Sequence, residues 1–212
     1  MNIVVLGGGT AGWLSALYSQ KLFPNANVCL IQNSSIGIIG VGEATTPIIL
    51  DMLTVLDIDI RDVIKKTNAS IKNGISFENW NGDGQKFFHS FSDTLINFRI
   101  PNIYNDGCYP FHLQKILNNK LSLNQYEYSS LASYNNKIDI EKIGFALHFD
   151  TNLFSKYLQQ IGLSRGINIV EGTFKSVKTD ENDFITSIIL EDERKINCDF
   201  VFDCSGLSRL II

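Results

Sequence analysis

Three closely spaced glycines near the start of the chain restrict its possible folds more than any other feature. Gly7, Gly9 and Gly12 follow an apolar, β-branched run at residues 2–6, and they lead into a segment at residues 10–21 whose apolar side chains recur at helical spacing. A strand, a tight glycine turn and a helix must therefore follow one another directly along the chain.

A second apolar run at residues 27–31 extends this opening to a strand–helix–strand unit, whose parallel strands require a right-handed crossover. Farther along, Asp150 or Thr151 can cap a helix that ends at Gly166. The other predicted elements are helical stretches at residues 47–56 and on to Thr67, strands at 70–78, 167–170 and 200–204, an antiparallel hairpin of 174–179 with 184–190, and loops with one or two helices within 81–144. We expect an α/β fold with a Rossmann-type sheet, flanking helices and an antiparallel β-hairpin.

The pattern Gly-x-Gly-x-x-Gly between a strand and a helix is typical of a turn that binds a dinucleotide. The first glycine allows the turn, the second lets backbone approach a pyrophosphate, and the third lets the helix pack on the strand. N–H groups at the helix N-terminus are free to bind phosphate oxygens. We predict that the cofactor-binding residues of this turn are Gly7, Gly9, Thr10, Ala11 and Gly12. A glycine turn without a ligand is the alternative.

The end of the second strand departs from the usual dinucleotide pattern. An acidic residue commonly accepts hydrogen bonds from a ribose at this point, but Gln32 and Asn33 stand here instead. An amide oxygen can still accept a hydrogen bond from a hydroxyl. Gln32 is therefore predicted to contact the cofactor.

Composition argues against several classes of function. The chain carries 18 Lys and Arg against 22 Asp and Glu, a formal net charge of −4, and it has no basic cluster, so no nucleic-acid surface is expected. It lacks a secretion signal, and no apolar run reaches the ~18 residues that span a bilayer, so we predict a cytoplasmic protein with no membrane association. We expect neither disulfides nor a metal site, because no CxxC pair and no common ligand spacing occurs among Cys29, Cys108, Cys198, Cys204, His89, His112 and His148.

Three further segments make the dinucleotide site specific to one family. GGGTAGW at residues 7–13, IGVGEATTP at 39–47 and IKNGISFENW at 71–80, in this order, resemble the flavin-dependent tryptophan halogenases. The resemblance continues through FFHSF at 87–91, LHFD at 147–150 and FDCSG at 202–206. It implies an FAD-binding sheet of the glutathione-reductase type.

The resemblance also implies a reaction. In this family reduced FAD, O2 and a halide give hypohalous acid, which travels through an internal tunnel to an aromatic substrate. A lysine that matches Lys72 holds the oxidant there, by a hydrogen bond or as a haloamine. The residues agree with this role: in a strand at 70–78, Lys72 shares a face with Gly74 and Ser76 and faces a cavity or water. An ammonium group donates three hydrogen bonds and so suits the binding of a neutral oxidant. A solvated surface lysine is the alternative.

The resemblance also implies a role for one glycine-containing segment. The segment of Gly40, Val41, Gly42, Glu43 and Ala44, called the strap below, resembles the loop that runs over the flavin in this family. Its two glycines allow backbone to lie close to a ring system. Glu43 either orients this loop or is solvated.

Near the C-terminal end of the sequence, two further residues are expected cofactor contacts. Gly206 resembles a residue of the turn near the flavin in related monooxygenases, and Phe174 occupies a position whose backbone commonly contacts adenine. For Phe174 the alternative is a hairpin residue whose side chain only covers the core.

Residues 1–212 are expected to form an FAD-binding domain into which part of the substrate region, about residues 70–145, is inserted. Family members continue with a WxWxIP motif, a second catalytic carboxylate and halide-binding amides, whereas Trp13 and Trp80 are the two tryptophans of this chain. We therefore expect an N-terminal portion, truncated before the rest of the substrate domain and without the C-terminal half.

The function predicted from the sequence is thus that of an FAD-dependent halogenase, in N-terminal portion, acting on a tryptophan- or indole-like aromatic. The resemblance implies halide and O2 as further reactants and a separate flavin reductase as the partner that supplies reduced FAD. Two alternatives stay open at this point: an FAD-dependent aromatic monooxygenase, and a truncated flavin-binding module with no catalysis.

Overall fold

The structure is a computed structural model that describes residues 1–37, 40, 42–91, 132–138, 140 and 144–211. Most of the segment predicted to contain loops and one or two helices, 81–144, lies outside the described residues. The chain forms two compact units: the first comprises Met1–Glu43, Leu53–Ala69 and Phe149–Ile212, and the second comprises Ala44–Met52 and Ser70–His148.

In chain order the described elements are β1 (Asn2–Leu6), α1 (Thr10–Leu22), β2 (Asn27–Gln32), β3 (Glu43–Ala44), α2 (Ile48–Val55), α3 (Ile60–Lys66), β4 (Ser70–Lys72), β5 (Gly74–Glu78), β6 (Lys86–Ser90), β7 (Ala146–Phe149), α4 (Thr151–Ser164), β8 (Asn168–Glu171), β9 (Phe174–Thr179), β10 (Ile185–Leu190), β11 (Lys195–Asn197) and β12 (Phe200–Asp203), followed by a 3-10 turn at Gly206–Ser208.

A four-stranded parallel sheet organises the first unit. Its strand order is β12-β1-β2-β8, and each neighbouring pair is parallel. Because parallel strands need a crossover, α1 connects β1 to β2, and α4 precedes β8. This arrangement confirms the predicted α/β fold with a Rossmann-type sheet.

Both faces of the parallel sheet are covered, which explains why its central strands are continuous apolar runs. Helix α1 packs on β1 and β2 at one face, and it also packs against α4. The opposite face belongs to a core that the sheet shares with residues of β10 and with Cys198; its buried members are Val4, Leu6, Cys29, Ile31, Ile188, Leu190 and Cys198.

The predicted antiparallel hairpin is present and is larger than expected. Strands β9 and β10 pair antiparallel, and β11 adds a third strand in the order β11-β10-β9. Strand β11 is three residues long, so its sequence carries too little alternation to be recognised.

The N-terminal end of α4 forms as the sequence indicates. Asp150 has extended backbone, and its side chain accepts a hydrogen bond from the N–H of Leu153 at 2.9 Å. This is the bond expected of an N-cap, and it satisfies one of the free donors in the first helical turn. The backbone continues past Ser164 through Arg165 to Gly166, which adopts a positive φ of 81° and ends the helix.

The second unit contains two small antiparallel arrangements and corrects one prediction. Strand β4 pairs with β7 in the sheet β3-β7-β4, whereas β5 pairs with β6. The single strand predicted at 70–78 is therefore two strands that separate at Asn73. The alternation argument that placed Lys72, Gly74 and Ser76 on one face does not extend across this break.

Strand β6 corrects a second prediction, because residues 86–90 were expected to be irregular. Its position beside β5 requires a glycine: a Cβ on Gly74 would overlap the carbonyl oxygen of His89 and lie 2.7 Å from the ring of Phe88. Pairing with β5 stabilises β6 as a strand, whereas the hydrophobic pattern around residues 86–90 shows no strand periodicity.

Candidate functional site

The glycine turn between β1 and α1 is held tightly against the end of β12. Gly7 has a φ of 121°, and a Cβ there would overlap the carbonyl oxygen of Cys204. A Cβ on Gly12 would overlap the carbonyl oxygen of Gly7. These two glycines are thus needed for the packing of strand, turn and helix, as the glycine pattern predicts.

Gly9 differs from its neighbours because no contact with the described residues requires a glycine there. Its φ of −78° and ψ of −174° suit any residue, and no atom of the described residues lies within 4 Å of an ideal Cβ at this position. Packing and backbone conformation therefore leave the choice of glycine unexplained. A ligand that approaches the backbone closely would explain it.

The N-terminus of α1 beside Gly9 has free hydrogen-bonding groups. No side chain of the described residues caps this end, and the first helical bond runs from the N–H of Trp13 to the carbonyl of Gly9 at 3.0 Å. The N–H groups of Thr10, Ala11 and Gly12 thus have no partner within the helix. In addition, Thr10 Oγ1 is buried and has no hydrogen-bond partner among the described residues.

These features match the needs of a dinucleotide pyrophosphate. An anion at the N-terminus of α1 would accept from its N–H groups and be favoured by the helix dipole. Thr10 Oγ1 could donate to the same anion, which would remove the free energy cost of a buried hydroxyl without a partner. The residues present therefore fit a dinucleotide.

Gln32, at the end of β2, lies beside this turn. A Cβ on Gly8 would lie 2.5 Å from Gln32 Oε1, so the amide side chain borders the glycine backbone. Gln32 Nε2 donates to Glu171 Oε2 at 3.2 Å. Glu171 Oε1 also accepts from the N–H of Ser34, and this bond holds the pKa of Glu171 below its ordinary value.

Sequence reasoning missed Glu171 as part of this region. It lies far from Gln32 along the chain and meets it because β2 and β8 are neighbours in register. The one signal in the sequence is an acidic residue at the end of the predicted strand 167–170, where the carboxyl ends of parallel strands share one edge of the sheet.

Helix α4 also contributes two hydroxyl groups that are not among the predicted cofactor contacts. Ser155 is buried, and its Oγ donates to the carbonyl of Gly8 at 3.1 Å. Thr151 is 2% exposed, and its Oγ1 has no hydrogen-bond partner among the described residues. A Cβ on Gly40 would lie 3.1 Å from that oxygen, so Thr151 borders the strap.

The remaining strap residues divide between the two units. Val41 lies outside the described residues. Gly42 borders the carbonyl oxygen of Phe149, which would lie 3.5 Å from a Cβ at this position. Glu43 and Ala44 form β3, the first residue being half-buried and the second exposed. Their contact with a cofactor stays a prediction.

The structure shows the contacts of Phe174 and the conformation of Gly206, the two predicted cofactor contacts near the later strands. The side chain of Phe174 packs against the core between the sheets, as the alternative interpretation had it, while its backbone pairs with Leu190. Gly206 is exposed, has a φ of 68° and begins the 3-10 turn after β12. Asp203 holds this turn by accepting from the N–H of Ser205 at 3.0 Å and from that of Ile211 at 2.9 Å.

Lys72 lies in the second unit, at the end of β4. Its Nζ donates to the carbonyl of Thr45 at 2.9 Å and lies 5.1 Å from the ring centroid of Phe91. Thr45 is itself fixed, since its Oγ1 and N–H donate to the carbonyl of Leu147, each at 2.9 Å. Lys72 is half-buried, so it is not an ordinary solvated lysine, and it is bound to the segment that follows the strap.

Over the part of the chain that the structure describes, no helix is long and apolar enough to cross a membrane. Within the same residues, no group of three or more His, Cys, Asp and Glu side chains could hold a metal ion.

The thiol of Cys204 lies 3.6 Å from Ser15 Oγ, and burial raises its pKa.

Comparison with known proteins gives one consistent family. The family model of tryptophan halogenases matches residues 2–212. Tryptophan 7-halogenase RebH of Lentzea aerocolonigenes is 30% identical, in a match that covers 100% of this chain and 43% of RebH. The 7-chloro-L-tryptophan 6-halogenase KtzR of Kutzneria sp. (strain 744) is 27% identical over 99% of this chain and 45% of its own length.

Solved structures agree with the sequence comparison. Xcc4156, a flavin-dependent halogenase from Xanthomonas campestris, is 29% identical and superposes with a TM-score of 0.86 over 99% of this chain and 43% of its own. BrvH, a flavin-dependent halogenase from Brevundimonas sp. BAL3, is 26% identical with a TM-score of 0.81. The chain spans less than half the length of these relatives. Because the family match extends over residues 2–212, the chain belongs to the tryptophan halogenase family.

Proposed function

We propose that the first unit binds FAD, with the pyrophosphate at the N-terminus of α1. The observation that carries this proposal is the buried Thr10 Oγ1. Within the described part of the chain this oxygen has no hydrogen-bond partner, the adjacent helix end has no side-chain cap, and the Cβ position of Gly9 is open. The residues that would hold the cofactor are Gly7, Gly9, Thr10, Ala11, Gly12, Gln32, the strap from Gly40 to Ala44, the backbone of Phe174, and Gly206.

In the whole protein we propose halogenation of a small aromatic compound of the tryptophan or indole class. Bound FAD would supply the oxidising chemistry: reduced FAD, O2, a halide ion and a proton give oxidised FAD, hypohalous acid and water. A separate flavin reductase would supply the reduced cofactor, and the reaction would take place in the cytoplasm. The first unit would be the FAD-binding domain, and the second would contain the start of the substrate region.

Lys72 is the residue that we propose as catalytic. An ammonium can donate three hydrogen bonds, and among the described residues only the carbonyl of Thr45 accepts one. The remaining donors are available to hypohalous acid. The contact with Phe91 and the partial burial of Lys72 limit competition from water for these donors.

An aromatic monooxygenase with the same type of sheet is the less favoured assignment. The monooxygenase interpretation gives no reason for the segments IGVGEATTP and IKNGISFENW, whereas the family match includes both. The other alternative, a flavin-binding module without catalysis, has the same FAD site and differs in that no halide site or catalytic acid completes it.

FAD binding by the 212-residue chain tests the proposal directly. A valine at Gly9 is compatible with the backbone, and its Cβ meets no atom of the described residues. The Gly9→Val variant is therefore expected to fold normally and to bind FAD at least tenfold more weakly than the wild type. Gly37→Val is the matched control, because Gly37 also has open space around its Cβ position and lies outside the turn. Equal FAD affinity in all three proteins, or no FAD binding by the wild type, would refute the proposal.

A further inference from the structure

The carboxyl ends of β2 and β8 are joined by a small polar network. Gln32 is opposite Glu171 in the parallel register, and the N–H of Gly172 donates to the carbonyl of Gln32 at 2.8 Å. Asn33 Nδ2 donates to Thr173 Oγ1 at 2.9 Å. These bonds join the two chain segments directly after the Gln32–Glu171 pair.

The chemistry of this pair sets the orientation of the Gln32 amide. An ionised carboxylate only accepts hydrogen bonds, so the amide must turn its NH2 group toward Glu171. Gln32 Nε2 does donate to Glu171 Oε2, and Oε1 then lies on the side of Gly8. No described residue donates to Gln32 Oε1, so this oxygen is an available acceptor beside the glycine turn.

Glu171 is itself kept in the state that this arrangement needs. Its Oε1 accepts from the N–H of Ser34, and the bonds from Ser34 and Gln32 lower its pKa, so the carboxylate stays ionised at neutral pH. Removing the negative charge would allow Gln32 to turn its amide over. The NH2 group would then occupy the position beside Gly8, where an acceptor stands now.

We propose that Glu171 is a positioning residue that holds Gln32 Oε1 as the acceptor for a hydroxyl of the adenosine ribose. In other dinucleotide sites one carboxylate at the end of the second strand accepts this bond; here an amide on β2 and a carboxylate on β8 share the task. This inference rests on the proposed binding of FAD.

Calorimetric titration of the 212-residue chain with ADP, 2′-deoxy-ADP and 3′-deoxy-ADP tests this role. ADP carries the ribose and the pyrophosphate without the flavin, and a single hydrogen bond to a ribose hydroxyl corresponds to roughly a fivefold preference for ADP over one of the deoxy compounds. Glu171→Gln is expected to abolish that preference, as is Gln32→Ala. Glu193→Gln, which neutralises an exposed glutamate paired with Lys175, should keep it.

A charge-relocation variant separates positioning from general stabilisation. In the double variant Gln32→Glu with Glu171→Gln, a carboxylate on β2 can accept from the ribose directly while the amide on β8 donates to it. The ADP preference is therefore expected to return. Failure of the double variant to regain the preference would overturn the positioning role.

The possible results distinguish this inference from the proposal on which it rests. Wild-type protein that binds neither FAD nor ADP would overturn both. If wild type binds FAD and ADP but Glu171→Gln keeps the full preference for ADP, FAD binding stands and the role of Glu171 is refuted. Loss of the preference in Glu193→Gln as well would also refute it, because removing a carboxylate that is bonded to Lys175 and not to Gln32 would then have the same effect.

Discussion

The indole ring of Trp13 lies directly against Gly162, at the point where α1 and α4 pack on each other. A Cβ on Gly162 would lie 2.5 Å from Cζ3 of the indole, and Trp13 is 1% exposed. Trp13 thus packs α1 against α4, and the first turns of these two helices border the glycine turn. Helix packing therefore explains the tryptophan in the segment GGGTAGW, which is also part of the family resemblance.

Gly162→Ala should destabilise the first unit. Alanine gains about 1 kcal/mol over glycine in a helix interior, but a methyl group forced against a buried ring costs about 1–3 kcal/mol. The second effect should prevail because Trp13 is buried and its ring lies only 2.5 Å from the Cβ position. We expect a net loss of about 1 kcal/mol in the free energy of unfolding, measured by urea denaturation. In a Trp13→Phe background, where Cζ3 is absent, Gly162→Ala should cost less; an equal cost in both backgrounds would show that the indole contact is not the cause.

Asp59 should make stability depend on pH in the acid range. It caps α3 by accepting from the N–H of Arg61 at 2.8 Å, and the guanidinium and the N–H of Arg61 lower the pKa of Asp59 from 3.8 to about 2. Because the folded pKa lies below the unfolded value, the ionised cap stabilises the protein above about pH 4, and this contribution disappears as the pH falls toward 2.

Comparison of wild type with Asp59→Asn checks the direction. The free energy of unfolding of the wild type should exceed that of the variant at about pH 5, and the difference should shrink as the pH approaches about 2. A carboxyl carbon NMR titration should place the midpoint for Asp59 well below the ordinary value, and Arg61→Ala should move it back up. A difference that grows on acidification would mean that the sign is wrong.

Lys72→Ala should separate flavin chemistry from halogen transfer in the whole protein. Loss of a hydrogen-bond donor to the oxidant should lower the rate of halogenation by about 100-fold, while the rate at which O2 oxidises reduced FAD stays unchanged. Lys86→Ala is a suitable control, since Lys86 is exposed and paired with Glu78. Halogenation at the wild-type rate by Lys72→Ala would remove Lys72 from the mechanism.

The parts of the fold that the sequence predicts well are those decided by local patterns. The elements β1, α1 and β2 follow from apolar periodicity and three glycines, and α4 follows from its apolar stripe and the cap at Asp150. The prediction failed where pairing with distant strands decides the structure. Residues 70–78 look like one strand, but β4 and β5 have different partners, and this separates them at Asn73.

The candidate site divides in the same way. The glycine turn and its free helix end could be located from spacing alone, because one short segment contains them. Glu171 could not be located from spacing, since it contacts Gln32 only because β2 and β8 are paired in this register. The bond from Lys72 to the carbonyl of Thr45 could not be predicted either, because every residue has a backbone carbonyl and the residue type does not indicate which one accepts.

Amide NMR of the 212-residue chain during titration with FAD locates the pyrophosphate. The largest chemical-shift changes are expected at the N–H groups of Thr10, Ala11 and Gly12, which have no acceptor within α1. If these three signals stay unmoved at saturation with FAD, the pyrophosphate does not bind at the N-terminus of α1.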